Sequence, residues 1–439
     1  MTSTGIKTLT ALGAAMMVAT GPATAAGDAD ARIKELEKKL ERSMQMIEAL
    51  QGEVQSLKGA KAAAEPAVAA ASAEQAAKID NLERQVSQLG SGLGARLGGD
   101  DGIALHGFAD VGLRRSGENN PTYGRGNKGF DLGTFDLYLT PKFGTNVRSL
   151  IELNFEVDNG GAVTTDLERL QVGYAFNDTL TAWIGRFHTP YGYWNTAFHH
   201  GAQIQTSVLR PRFLDFEDKG GILPAHATGA WATGTYDVGS ARLGYDAYVA
   251  NAQHIDRTER VLDMKMAGDA KFRAMGGFNA WVTPKSLSAL RLGAHGLRGN
   301  IADDLTGSET RLNMLGGYGA FIDDDWEVLG EYYHFDNTNL TGGTGKHQSN
   351  AWYAQLGRSF GQYTPYGRLE KTSLSQADNY FALQANGRSY NRSVIGLRYD
   401  VDPKSALKLE LNRTKKKDLG VGVPDDGYNE AYIQYSIRF

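Results

Sequence analysis

The chain has no cysteine, few prolines and no long apolar run. The absence of cysteine among 439 residues excludes disulfide scaffolds, cysteine-ligated zinc, iron–sulfur clusters and cysteine nucleophiles. Only 11 prolines argue against a proline-rich low-complexity protein. No stretch reaches the roughly 20 apolar residues that a transmembrane helix requires. Neither sign of charge dominates, since 46 basic and 50 acidic residues give −4, so nucleic acid is not an expected partner.

Motifs of enzyme chemistry are also missing. The chain has no G-x-S-x-G, no H-E-x-x-H and no P-loop, so we expect neither an enzyme nor a cofactor. His188, His199 and His200 follow no standard ligand spacing, so no metal site is predicted either. What the chain has instead is 54 glycines and 20 tyrosines, a composition typical of many strands joined by many turns.

Residues 1–26 have the features of a secretory signal peptide. Lys7 supplies the positive charge, an apolar stretch follows over 9–19, and Ala23-Thr24-Ala25 is an A-x-A cleavage site. The apolar stretch is too short to span a bilayer. The mature chain is therefore predicted to be exported.

A coiled coil with an alanine-rich spacer is predicted over residues 28–90. The eight successive a and d positions are Ile33, Leu36, Leu40, Ser43, Ile47, Leu50, Val54 and Leu57, and all except Ser43 are apolar. After the spacer the seam resumes at Ile79, Leu82, Val86 and Leu89. This narrow stripe favours self-association over packing on a domain. β-Branched residues at a with Leu at d mildly favour two strands.

From about residue 103 the apolar period changes to two and persists to the last residue. At the C-terminus Ile433, Tyr435, Ile437 and Phe439 share one face. Sixteen strands are predicted, near 103–114, 130–141, 146–157, 167–177, 180–188, 228–237, 240–250, 271–283, 289–298, 310–322, 325–336, 349–360, 362–372, 390–400, 404–414 and 428–439. Their mean length of about eleven residues suits a tilted membrane-spanning strand.

Short turns and long loops alternate along these strands. Asn177-Asp178 and Asp402-Pro403-Lys404 are examples of the turns, and 251–270, 337–348 and 373–389 are examples of the loops. A soluble β-sandwich has no reason to segregate its connections in this way, whereas an outer-membrane barrel does. Residues 100–439 are therefore predicted to form an all-β, 16-stranded antiparallel transmembrane β-barrel in the outer membrane of a Gram-negative bacterium, with the helical coiled coil in the periplasm.

A barrel of this size encloses a wet lumen. Alternation assigns to its lining Arg148, Glu152, Arg242, Arg273, Arg291, Arg311, Glu331, Arg368 and Arg398. The longest connection, 189–227, is the third long loop, and it is predicted to fold inward and constrict the pore. Its candidate solute contacts are Arg210, Arg212, Asp215, Glu217 and Asp218. The alternative is a loop packed over the mouth, with its charges paired locally.

One segment carries a family resemblance. Ile184-Gly185-Arg186-Phe187-His188-Thr189-Pro190-Tyr191-Gly192 resembles the GxFxTPxG segment of the phosphate-selective porin O and P superfamily, over roughly 100–439. An N-terminal coiled coil before the barrel also resembles a subset of trimeric porins, including dicarboxylate and siderophore porins. The resemblance implies a homotrimer that carries small anionic solutes. The lumen charges here are mixed and lysine is sparse, so phosphate selectivity does not carry over.

The sequence thus favours a porin that gives small hydrophilic solutes passive diffusion through a water-filled channel. Outer-membrane lipid, the solutes and two further copies of the chain are the expected partners. The alternative is a structural protein, anchored by its barrel, whose coiled coil tethers the envelope or recruits a partner. An outer-membrane hydrolase would need a Ser/His pair on the lipid-facing wall, and no convincing pair is present.

Overall fold

The computed structural model describes residues 105–117, 128–141, 143–157, 163–198, 201–217, 219–264, 272–417 and 426–439. The predicted signal peptide (1–26) and coiled coil (28–90) lie outside these residues, as do His199, His200 and Asp218. Within the described parts of the chain, no helix has the length and apolar character needed to cross a membrane.

Sixteen long strands form a single sheet. They are β1 (Leu105–Ser116), β2 (Lys128–Leu139), β3 (Val147–Val157), β4 (Val163–Asn177), β5 (Leu180–His188), β6 (His226–Val238), β7 (Ala241–Asn251), β10 (Ala274–Pro284), β11 (Leu290–Asp303), β12 (Glu309–Ile322), β13 (Trp326–Thr341), β14 (Lys346–Arg358), β15 (Tyr363–Ser373), β16 (Tyr390–Asp402), β17 (Ser405–Lys416) and β18 (Asp426–Arg438). Every one overlaps a predicted strand.

Short elements occupy the connections. Two-residue strands β8 (His254–Ile255) and β9 (Leu262–Asp263) pair with each other between β7 and β10. Two four-residue helices, α1 (Trp194–Ala197) and α2 (Asn379–Ala382), and 3₁₀ turns at Arg212–Leu214 and Lys285–Leu287 complete the described elements. The predicted loop at 337–348 is shorter than expected. Strand β13 continues to Thr341 and β14 begins at Lys346, which leaves only 342–345 as a turn.

The sheet closes on itself. Each long strand is antiparallel to its sequence neighbours, with β7 pairing directly to β10, and β1 pairs with both β2 and β18. Phe439 extends the closing seam, because its N–H and C=O each bond Gly107 at 3.1 Å. The prediction of a 16-stranded antiparallel barrel is therefore confirmed. Closure gives the main-chain groups of the first and last strands partners within the sheet.

The two faces of each strand differ in burial. In β13, Glu327, Glu331 and Tyr333 are buried inside the barrel, while Val328 and Tyr332 are exposed on its outer face. The same alternation runs along β18, where Ile433 and Tyr435 are exposed and their neighbours are buried. Polar and charged groups thus face inward, and the exposed outer face is rich in Leu, Ile, Val and aromatic residues.

Arg311 lies on the other face from the one predicted. Its strand neighbours Thr310 and Leu312 are buried inside, and so is Met314, so Arg311 lies on the outer face of β12. The alternation pattern failed here because this part of the interior is apolar. Leu312 and Met314 belong to a large buried cluster that includes Phe335, so the rule that polar residues face inward selected the opposite face.

Gly185 is required at its position in β5. Its φ is +132°, and a Cβ atom there would lie 2.0 Å from the carbonyl oxygen of Leu170 on β4. No side chain fits without moving one of the two strands. This glycine opens the segment that carries the family resemblance, so that motif has a direct physical basis in the barrel wall.

We expect Gly185→Ala to destabilise the barrel by about 1–3 kcal/mol. A residue with a Cβ is strained at this positive φ, and its Cβ would clash with the carbonyl oxygen of Leu170 on β4. Gly319→Ala in β12 is the matched control, because its added Cβ would make only an ordinary 3.4 Å contact with Leu292. Urea unfolding in lipid vesicles, followed by tryptophan fluorescence, measures both. Equal midpoints for the two variants would contradict this reading of the motif.

Candidate functional site

The connection between β5 and β6, residues 189–225, is here called loop 3, and it packs inside the barrel. Tyr191, Trp194 and Phe213 of loop 3 are almost fully buried. The ring centroid of Trp194 lies 5.6 Å from that of Tyr353 on β14, and the centroid of Phe213 lies 5.3 Å from that of Tyr333 on β13. Aromatic contacts with inward-facing side chains therefore place loop 3 in the interior.

Glu331 on β13 holds the start of loop 3. Its carboxylate accepts main-chain N–H bonds from Tyr193 at 3.1 Å and Trp194 at 2.7 Å. It also accepts hydroxyl bonds from Tyr333 at 2.6 Å and Tyr353 at 2.7 Å. These four donors satisfy a buried charge that would otherwise be costly. Gly192 passes close by with φ +64°, and a Cβ there would lie 2.1 Å from the carboxylate.

Two further carboxylates hold the second half of loop 3 in the same way. Glu410 on β17 accepts from the main-chain N–H groups of Val208 at 2.9 Å and Leu209 at 3.3 Å. Glu370 on β15 accepts from the N–H of Arg212 at 2.8 Å. In each case a wall tyrosine hydroxyl also donates to the carboxylate, at 3.0 Å. Buried wall carboxylates therefore bind the loop through its main chain.

Three wall cations bind the carbonyl groups of the same segment. Arg368 donates to the carbonyls of Leu209 at 3.0 Å and Arg210 at 3.2 Å, and it also pairs with Glu370 at 2.8 Å. Arg398 donates to the carbonyl of Gln203 at 2.6 Å and to that of Gln205 at 2.9 Å. Lys408 donates to the Gln205 carbonyl at 2.7 Å.

We call Glu331, Arg368, Glu370, Arg398, Lys408 and Glu410 the anchor set. The sequence placed Glu331, Arg368 and Arg398 on the lumen lining, and they do face inward. Loop 3 covers all three, however, and their hydrogen-bonding groups are taken up by its main chain and by neighbouring wall side chains. The structure gives them a position under the loop rather than on an open channel.

The predicted solute contacts in loop 3 are also packed. Arg210 donates to Asn195 at 2.9 Å, and its guanidinium lies 4.1 Å from the Phe216 ring centroid. Arg212 donates to the Tyr428 hydroxyl at 2.9 Å. Both arginines are only 6% exposed. They pack the loop against the wall, and their contact with solute stays a prediction.

The acidic half of the predicted constriction is buried as well. Asp215 accepts from the N–H of Phe216 at 3.1 Å. Glu217 accepts from the side chain of Gln253 at 2.7 Å and lies 3.1 Å from Nδ1 of His226. Neither carboxylate presents a free charge to an open lumen. Asp218, the last member of the set, lies outside the described residues.

The remaining predicted lining residues do not converge on one place. Glu152 is buried and pairs with Arg169. Arg148 is exposed, and Arg242 pairs at 3.1 Å with Asp237 near an exposed turn. Arg273 lies just before β10, where it pairs with Glu309 at 3.5 Å.

A polar cavity of about 260 Å³ lies beside loop 3, on the wall formed by β4 to β7, β10 and β11. Its polar lining includes Arg169, Gln171, Asp246, Asn279 and Arg291. The Asn279 amide donates to Asp246 at 3.4 Å, and the Arg291 guanidinium lies 5.4 Å from the Trp281 ring centroid. Arg291 is one of the residues that alternation assigned to the lining, and it lies on this cavity.

Arg291 is a partly exposed charge on this cavity, and Asp246 is a buried one. No carboxylate of the described residues lies within 4 Å of its guanidinium, whereas Arg169 is neutralised by Glu152. Gln171 and Asn279 complete the polar lining, and the sequence analysis did not single them out because it searched for charges. Both side chains face inward at alternate strand positions, so period-two alternation applied to uncharged polar residues would have predicted them as lining residues.

Comparisons with known proteins support the fold. No protein-family model matches the chain, and no curated protein matches it. Among solved structures, the anion-selective porin from Comamonas acidovorans aligns with a TM-score of 0.51 at 11% identity, covering 77% of this chain and 100% of that one. A loop-deletion mutant of OmpT, an outer membrane protein of Vibrio cholerae, aligns with a TM-score of 0.50 at 10% identity, covering 77% and 99%. These similarities show a shared barrel fold.

We expect Glu331→Ala to release the start of loop 3. Two loop N–H groups and two tyrosine hydroxyls lose their acceptor, so the free energy of unfolding should fall by about 2–4 kcal/mol. Limited proteolysis should then cut within 189–225, and conductance in planar bilayers should rise. Glu259→Ala, an exposed carboxylate between β8 and β9, is the control and should change neither. An uncut loop in the Glu331→Ala variant would show that other contacts suffice to hold it.

Proposed function

We propose that the chain is an outer-membrane porin of a Gram-negative bacterium that gives small hydrophilic solutes passive diffusion through its lumen. The observation that carries this proposal is a closed 16-stranded barrel with an exposed apolar outer face and a polar interior only partly filled by loop 3. A barrel of this strand number leaves room for an aqueous path. Such a function requires no cofactor and no catalytic group.

Loop 3 narrows the path on one side in this proposal. The anchor set holds the loop against β13 to β17, so the solute path follows the opposite wall, where the cavity with Arg291 lies. Of the five loop residues proposed from sequence, Arg210, Arg212, Asp215 and Glu217 act mainly by fixing the shape of the constriction, and Asp218 stays a proposed solute contact. The selecting contacts are the polar groups of the cavity.

Small anionic solutes are the cargo that this wall favours. The cavity presents the guanidinium of Arg291 without a carboxylate partner among the described residues, and charges at a narrow point set ion preference. The Comamonas acidovorans protein with the same fold is named as anion-selective. The resemblance of 184–192 to the phosphate-selective porin superfamily points the same way.

We expect Arg291→Gln to lower the anion preference of the channel. One unit charge at about 6 Å in water is worth roughly 0.7 kcal/mol, which corresponds to about a threefold change in the permeability ratio. Reversal potential under a salt gradient in planar bilayers measures this ratio. Arg311→Gln, on the outer face, is the matched control and should leave the ratio unchanged. If the wild-type channel were cation-selective, the proposal of an anionic cargo would be wrong, but the proposal of a porin would stand.

The rest of the chain fits the same proposal. Residues 1–26 would direct export, 28–90 would form a periplasmic coiled coil, and 100–439 would form the barrel.

We propose a homotrimer whose subunits contact one another through their barrel walls and their coiled coils. The heptad chemistry alone mildly favours a dimer, but barrel-wall packing would bury more surface than that propensity can offset. Native mass measurement of the detergent-solubilised protein should give three copies, and a dimer would refute this assembly.

A second function is favoured by the heptad pattern itself. A seam with seven of eight apolar positions far exceeds what a signal or spacer needs, so the coiled coil could tether the envelope or recruit a periplasmic partner. Deleting 28–90 separates the two functions. A channel should keep its conductance, whereas loss of envelope integrity with conductance intact would establish the tether as an additional role.

A further inference from the structure

Three potential metal ligands meet where loop 3 leaves and rejoins the wall. His188 is the last residue of β5 and His226 is the first of β6, and the two are directly paired across the hairpin. Glu168 lies on the adjacent strand β4. One ligand atom from each of the three lies within 4.8 Å of the others, and all three side chains are buried.

The orientation of His226 is fixed by a fourth residue. Its Nδ1 lies 3.1 Å from Oε2 of Glu217, and since a carboxylate accepts there, Nδ1 carries the hydrogen. Glu217 is itself held by the N–H of His226 at 3.1 Å and the amide of Gln253 at 2.7 Å. Nε2 of His226 therefore points at Oε2 of Glu168, 2.6 Å away. A carboxylate that orients a ligating histidine in this way is a recurring feature of zinc sites.

We propose that Glu168, His188 and His226 bind a divalent transition metal ion of the zinc class, with Glu217 as the orienting carboxylate. Two imidazoles and one carboxylate are a donor set that zinc accepts, with a fourth position left for water. Ligand atoms around a tetrahedral zinc are about 3.4 Å apart, so small side-chain rotations from the present spacing complete the site. The ion takes the place of the proton between His226 and Glu168, which is released to solvent.

Charged groups of both signs surround the site. Arg186 lies 3.8 Å from Glu168, and His188 lies 3.8 Å from Glu152, which Arg169 already neutralises. His188 also lines the cavity beside loop 3, which gives the ion a route from the lumen. The sequence analysis found no such site because the three ligands come from three strands and have no short spacing.

Binding would fasten both ends of loop 3. His188 directly precedes the loop and His226 directly follows it, so an ion shared with Glu168 would fix the two ends of the loop to β4. The anchor set acts on the loop between Tyr193 and Arg212, whereas the ion would act on the strand ends that flank the loop. This role does not depend on which solute the channel carries.

The test uses the full-length folded protein in detergent, stripped with EDTA, titrated with zinc chloride and dialysed. We expect one zinc per chain by elemental mass spectrometry. His188→Gln and His226→Gln should each lose it, and Glu217→Gln should weaken binding about 10–100-fold. Zinc should raise the unfolding temperature of the wild type but not that of the His188→Gln and His226→Gln variants. His334→Gln, whose ring lies 2.8 Å from Asn350 on another part of the wall, is the control and should retain zinc.

Two further variants test whether zinc binds at this site rather than at other histidines. His199→Gln with His200→Gln removes the neighbouring histidine pair of loop 3, and this double variant should keep zinc at full stoichiometry. Glu168→Gln preserves side-chain volume and reports on the site if a histidine variant fails to fold. The proposal would be overturned if the wild-type protein bound no zinc at micromolar free zinc. It would also be overturned if only the His199→Gln/His200→Gln double variant lost zinc.

Discussion

Pairing of main-chain hydrogen-bonding groups is the constraint on which this structure depends. A sheet that closes on itself leaves no open edge of unpaired N–H and C=O groups, which hydrocarbon would not satisfy. Here the last strand returns to the first, and the carbonyl and N–H of Phe439 continue that seam as far as Gly107. The enclosed interior follows from closure, and the even strand count follows from closing a sheet whose neighbouring strands are all antiparallel.

The interior created by closure is too wide for wall side chains to fill. Loop 3 fills one side of the interior with its own aromatic residues, and its main-chain groups hydrogen-bond the charged wall residues there. Glu331 has four donors and Arg368 has acceptors on three sides, so their burial costs little. On the opposite wall, polar side chains line a cavity of about 260 Å³. The interior is therefore asymmetric, with loop 3 packed against one side and a polar cavity on the other.

Much of the barrel could be predicted from sequence, because period-two alternation is a local property that each strand carries by itself. It placed all sixteen strands and the inward face of Glu331, Arg368 and Arg398. It misplaced Arg311, since a loop that packs inside makes part of the lumen apolar. It also could not show that Arg210 and Arg212 are buried. That depends on contacts with Asn195 and Tyr428, which are determined by how the loop folds back.

The anchor set has a consequence for how such a protein can change over evolution. Its contacts with loop 3 are directed almost entirely at N–H and C=O groups, for example those of Trp194, Gln205 and Val208. A main-chain group is present whichever residue occupies the position. Side chains at loop positions outside the aromatic contacts and Gly192 can therefore be exchanged without loss of these main-chain bonds. Substitutions in the loop can therefore change the shape and charge of the interior while the residues of the barrel wall stay the same.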